Sequence, residues 1–361
     1  MPPEPASAGP CRRRATCAAT VLATTLAAVV SAVFAASAAR AVAVAPAPGA
    51  EAPPREESRP SQVPPGARGV ADTTTPPRRP AEEVRDAQRD FERFRRRHVP
   101  YGGGRGGDRC DEHVGRYCLW HGDGDDREPP PESAEIRERL ARLLERLARA
   151  AARAPASGWI AGQRVRYLLE AGRGREAVTV ARSCGARSWW CRALEGHALH
   201  RTGRHRPADV AFDSALARMP EEIRGRWTDV GILLEGDARD RWEELDAGAR
   251  TRFTRRMWRL SDPLWQVPGN ERRAEHLSRR TAARIRRDAA TPFGPHWDDG
   301  LEELLLRYGL WVGYERDRPS PVRLPTRPRV TGIHDPDALR FVPGPRALLS
   351  PTEAGADAWR V

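Results

Sequence analysis

The feature that most restricts what this chain can fold into is an internal repeat of 31 residues. Trp159 recurs as Trp190, Leu168 as Leu199, Gly172-Arg173 as Gly203-Arg204, and Ala177 as Ala208. A period of this length marks a unit of two helices that cannot bury its apolar face alone and must stack on its neighbours. Small residues at Gly196 and Ala208 let paired helices approach, Phe212 fills the gap between them, and Gly203 suits the left-handed turn that ends the first helix. Before the repeat, beyond the break at Pro155, a further helix is predicted from Ser133. Ile136, Leu140, Leu143, Leu144, Leu147 and Ala151 form its continuous stripe among Arg and Glu.

The second copy, with Gly196, Leu199, Gly203, Ala208, Phe212, Ala215 and Pro220, resembles a tetratricopeptide repeat. Cys184 ends one helix pair and Cys191 begins the next, so a bridge between them would staple adjacent repeats. Cys110 and Cys118 form a second local pair, and two such pairs are the framework expected in an oxidising compartment. Cys110, His113, Cys118 and His121 are also spaced like a small zinc knuckle, the competing reading. His197 and His200 share a helix face with no third ligand placed, and packing is expected of them rather than metal binding.

A second patterned stretch runs from Phe253 to Gly309. Leu245, Ala249, Phe253, Met257 and Leu260 make one helical stripe, which Asp262-Pro263 stops because proline disfavours α geometry at the residue before it. Asn270 is the expected N-cap of the next helix, with Glu271 in its first turn. Trp258, Asp262, Pro263, Asn270, Glu271, Glu275, Arg279, Trp297, Tyr308 and Gly309 follow the order and spacing of the GWxTD domain of exported proteins, which this stretch resembles. The name-giving motif reads His296-Trp297-Asp298-Asp299-Gly300 here, without its threonine. Leu301, Leu304, Leu305 and Tyr308 fit a helix as well as Leu304, Leu306 and Tyr308 fit a strand. The resemblance implies a strand, paired with another near Trp311–Glu315.

The ends look different. Residues 1–41 read as a signal peptide: Arg12-Arg13-Arg14, an apolar run from Ala15 to Ala36, and small-residue cleavage sites at Ala36-Ser37-Ala38 or Ala39-Arg40-Ala41. A retained anchor is the alternative, because the run approaches the ~20 residues that span a bilayer; with cleavage, no membrane span is expected. Residues 42–85 are a Pro- and Ala-rich spacer too poor in large apolar side chains to offset ordering entropy. Residues 86–132 hold the rest of a short helix (about 83–97, with Phe91 and Phe94 on one side) and a cysteine-containing loop. Residues 133–220 are the tetratricopeptide-like repeats, 221–318 the GWxTD-like module and 319–361 a proline-rich extended tail. The expected fold is mainly α, with helical hairpins, then a helical module with a small β-hairpin, between disordered ends.

A net charge of +12 raises nucleic acid as a partner. Every basic residue is arginine, however, and most alternate with Glu and Asp along helices as on a solvated face, so no nucleic-acid binding is expected. Gly-x-Ser-x-Gly and His-Glu-x-x-His are absent, and no catalytic, cofactor-binding or metal-binding residue is assigned. The leading reading is a non-enzymatic, exported scaffold whose Trp159, Trp189 and Trp190 line a groove for another envelope protein. The alternative is a secreted metal-dependent hydrolase using His296, Asp298, Asp299 and Glu302.

Overall fold

Glutamates in its first turn and arginines in its last suit the dipole of the first helix, α1 (Pro80–His98), whose Val84, Phe91 and Phe94 are buried. The computed structural model describes residues 80–102, 110–119, 129–264, 266–318, 329–335 and 338–359. The signal segment, the spacer up to residue 79 and His121 lie outside them. Two short strands follow, β1 (Glu112–Val114) and β2 (Tyr117–Leu119), turning through Gly115 at φ 60°. Cys110 and Cys118 are joined as a disulfide across this hairpin with their Cα atoms 5.3 Å apart. The knuckle reading thus gives way to the bridge.

Helix α2 (Ala134–Arg153) is opened by Ser133, whose Oγ accepts from the Ile136 amide, and buries the predicted stripe from Ile136 to Leu147. The repeat becomes two helix pairs, α3 (Gly158–Glu170) with α4 (Gly174–Arg182) and α5 (Ser188–His200) with α6 (His205–Arg218). Their turns are equivalent: Gly172 has φ 71° and Gly203 has φ 72°, conformations that L side chains adopt at a cost. A Cβ on Gly196 would lie 2.8 Å from the Phe212 ring, which is why α5 and α6 approach only with glycine there. The Cys184–Cys191 disulfide, with Cα atoms 5.6 Å apart, links the end of the first pair to the start of the second.

Beyond the repeats come α7 (Glu221–Thr228), a 3₁₀ turn (Gly231–Leu233), α8 (Gly236–Glu244), α9 (Ala247–Ser261), α10 (Glu271–Arg287) and α11 (Asp299–Tyr308). Asp246 and Asn270 cap α9 and α10 by accepting from the Ala249 and Arg273 amides. Leu245 therefore lies outside the helix it was expected to start and ends α8 instead. The chain closes with β3 (Trp311–Arg316), β4 (Val330–His334), α12 (Pro345–Leu349) and a last 3₁₀ turn (Ala356–Trp359). The four strands form one sheet in the order β1-β2-β4-β3, parallel between β2 and β4 and antiparallel elsewhere.

The fold is mainly helical with this small sheet, and several expected boundaries change. Helix α1 begins at Pro80, so the spacer does not extend to 85. Residues 301–308 are helix rather than strand, because Asp298 caps them and Leu301 and Leu305 share one buried face. The partner of β3 comes instead from the tail: β4 is buried throughout, and Gly332 leaves room for Trp311, whose Cδ1 would lie 2.0 Å from a Cβ there. A purely extended tail over 319–361 is corrected accordingly. The repeats and the following module are not separate bodies, since a single core runs from Val84 through the helix pairs to Ala274, Leu277, Ile285 and Val330. A smaller core gathers Leu233, Leu234, Ala238, Trp242, Phe253, Met257 and Leu348. Among the described residues no helix is long and apolar enough to cross a membrane.

Candidate functional site

Helix α10 decides what the repeats can offer a partner, because it lies against α3, α5 and α6. On that face His197 Nδ1 is 2.8 Å from Ser278 Oγ and His200 Nε2 is 2.5 Å from Glu275 Oε2. Both histidines are thus engaged with α10. Glu275 also accepts from Arg279 Nε, and Arg279 donates on to the carbonyls of Leu306, Arg307 and Leu339. Burial would raise the Glu275 carboxyl, but Arg279 and His200 hold it well below its ordinary value. Gly309, at φ 104°, lies where a Cβ would come within 3.2 Å of Arg279 Nη2 and 2.8 Å of Ala338 Cβ. Trp258 accepts through its carbonyl from Asn270 Nδ2 (2.7 Å), Asp262 accepts from the Leu264 amide, and Pro263 follows the helix end. Glu271 is buried, Tyr308 packs on Tyr117, and Trp297 meets Trp311 edge to face. Trp258, Asp262 and Pro263 thus sit at the end of α9, Asn270, Glu271, Glu275 and Arg279 at the start and along α10, and Trp297, Tyr308 and Gly309 around α11.

A second buried network was not anticipated from the sequence. Glu92 Oε1 accepts from Arg166 Nη2 (2.5 Å) and the Tyr167 hydroxyl (2.7 Å), while Glu170 accepts from Arg166 Nε (2.8 Å) and Arg95 Nη1 (2.7 Å). Burial opposes ionisation of Glu170, yet Arg166, Arg95 and Arg286 hold its carboxyl down at about 2. The available sign was Arg166 and Glu170, one turn apart inside the apolar stretch of α3. Such pairs stabilise little against a hydrophobic alternative, but breaking one leaves a buried charge unmet.

The three tryptophans singled out in the sequence do converge. Trp159, Trp189 and Trp190 line one cleft of about 260 Å³, walled on the far side by the last turn of α10. Trp189 and Trp190 are largely core, whereas Trp159 is half-buried. The Arg284 guanidinium lies 5.0 Å from the Trp189 ring and 5.2 Å from the Trp190 ring, and Arg85 lies 4.4 Å from the Trp159 ring. Trp190 Nε1 donates to the Gly158 carbonyl and Trp159 Nε1 to the Asp288 carbonyl. Trp189 Nε1 is buried with no acceptor. Arg187 and Arg287 join Arg284 at the cleft. Aromatic faces, an unmet N–H and guanidinium groups suit the recognition of carbonyl or carboxylate groups on a peptide.

The residues of the hydrolase reading separate. Asp298 Oδ1 caps α11 through the Leu301 amide, Glu302 pairs with Arg287 at 3.0 Å, Asp299 is exposed in the first turn of α11, and His296 lines another depression with Arg85 and Gln88. Among the described residues no group of three or more His, Cys, Asp or Glu side chains is placed to hold a metal ion. No protein-family model, curated protein or solved structure matches the chain.

Proposed function

We propose that this chain is an exported, non-enzymatic interaction protein that recognises another envelope protein through the tryptophan-lined cleft. The observation that carries the reading is the convergence of Trp159, Trp189 and Trp190 with Arg187, Arg284 and Arg287 around one opening. Export is supported by two cysteine pairs at disulfide distance, a usage suited to an oxidising compartment. The order of residues from Trp258 to Gly309 supports placing the C-terminal part with GWxTD-like modules. Helix α10 lies against α3, α5 and α6, which leaves the cleft beside its last turn as the opening where the three tryptophans are presented. Its arginines favour an acidic segment, whose carboxylates would pair with Arg187, Arg284 and Arg287. Arg284 is exposed, so Arg284→Glu should fold as the parent does. A partner purified with the wild type from envelope extract is expected to bind Arg284→Glu at least about tenfold more weakly, with the loss lessened at high salt. Unchanged affinity in both Arg284→Glu and Trp159→Ala would remove the cleft from recognition.

A further inference from the structure

A cavity of about 440 Å³ is bounded by the Gly231–Leu233 turn, α8, α12 and the segment from Arg340 to Gly344. Its walls combine apolar side chains, Leu233, Leu234, Val342 and Leu348 prominent, with polar ones that include Glu235. Arg272, in the first turn of α10, also lines it and is only 1 % exposed. Arg272 Nε donates to the Phe341 carbonyl at 3.1 Å, but Nη1 and Nη2 are both buried without a partner. A guanidinium is a rigid fork of donors, and desolvating it without an acceptor is among the most costly arrangements a fold can hold.

Glu275 offsets its charge in part and the Trp258 ring lies 5.8 Å from the guanidinium, but no carboxylate bonds to the two nitrogens. Glu275 pairs with Arg279 and His200, and Arg307, also at this cavity, is engaged by Glu303 at 2.7 Å and Glu235 at 3.3 Å. Burial, with Arg279 beside it, pushes the Arg272 guanidinium down to about 9, and Glu275 opposes this only in part. Arg340 adds a further positive group at the same cavity. The volume falls in the range of pockets that enclose small molecules, which combine apolar walls with few fixed polar groups.

We infer that this cavity is a binding site for a small organic carboxylate, its anionic group taken by the two free nitrogens of Arg272 and its hydrocarbon body by Leu233, Leu234, Val342 and Leu348. The planar fork matches the two oxygens of a carboxylate, and one unmet guanidinium calls for a single negative charge rather than a phosphate dianion. The site is independent of the tryptophan cleft, so either can fail without the other.

The test is thermal unfolding and calorimetric titration of the purified protein with hexanoate, octanoate and benzoate. The matched alcohols and inorganic phosphate serve as controls. At least one carboxylate is expected to raise the melting temperature with saturation, while its alcohol and phosphate do not. Arg272→Met is expected to stay folded and lose the carboxylate-dependent shift, with affinity down by about tenfold or more. Arg272→Lys keeps the charge but not the fork and should bind less tightly than the wild type. Should Arg272→Met fail to fold, Val342→Trp, which fills the cavity from a half-buried wall, must abolish the shift instead. The inference is overturned if no carboxylate shifts the wild type, if phosphate shifts it as strongly, or if the folded variants respond as the wild type does.

Discussion

Arg279 offers the sharpest test of how the C-terminal helices are held to the repeats. Its guanidinium is fully buried and makes four hydrogen bonds: to Glu275 (2.5 Å), to the carbonyls of Leu306 (3.0 Å) and Arg307 (2.8 Å) at the end of α11, and to Leu339 (2.7 Å). Methionine keeps much of the volume and none of the donors. Each stranded carbonyl costs about 1–3 kcal/mol, and a buried carboxylate deprived of its cation about 3–5 kcal/mol. These terms do not add in full, because His200 still serves Glu275 and water can reach a loosened helix end. A loss of about 4–6 kcal/mol is expected for Arg279→Met, a large part of a typical domain's stability. Urea unfolding followed by circular dichroism and tryptophan fluorescence would measure it. The double variant Glu275→Leu/Arg279→Met should recover only the charge part, since the three carbonyls remain unmet. A loss below about 1 kcal/mol, or full recovery in the double variant, would refute the reasoning.

Two further outcomes follow from the same buried groups. Gly196→Ala places a methyl 2.8 Å from the Phe212 ring and should cost about 1–3 kcal/mol in urea unfolding, whereas substitution of exposed Gly225, whose Cβ would meet nothing, should not. His197 and His276 are both held well below their ordinary value, chiefly by burial and then by Arg201 and Arg280 respectively. The unfolded chain therefore binds more protons as pH falls below about 6.5, and the two together should cost about 2.5 kcal/mol between pH 7 and 5.5. His197→Gln should remove about half of that dependence in the same assay, and an unchanged slope would count against the assignment.

The helical pairs were legible because their signals are local. Gly172 and Gly203 act within one turn of chain, Gly196 and Phe212 across one helix hairpin, and all appear where the repeat places them. The caps at Ser133 and Asn270 are local in the same sense. What was not legible depends on distant partners. Residues 301–308 carry two apolar periodicities at once, and only the cap and the buried face choose helix. Strand β4 is a short run amid prolines, buried at every position, so no alternation marks it, and its pairing partners β2 and β3 lie elsewhere in the chain. Arg272 looked like one more arginine among 61, and nothing near it in sequence says that Leu348 and Phe341 will bury it. The converging tryptophans were visible as residues, but their depth in the core was fixed by α10.

Strand β4 has a consequence for the order of events in folding. It pairs Gly332 with Tyr117 on one edge and Tyr314 on the other, so β1 and β2 wait for residues made more than two hundred positions later. The helix pairs close short loops and can form early, while this junction carries a high loop-closure cost and comes last. Until it does, β3 has an open edge, the kind of surface that invites pairing with another chain. A polypeptide shortened before Val330 would keep α1 to α11, lose α12 together with β4, and expose that edge permanently, so self-association would be among its first symptoms.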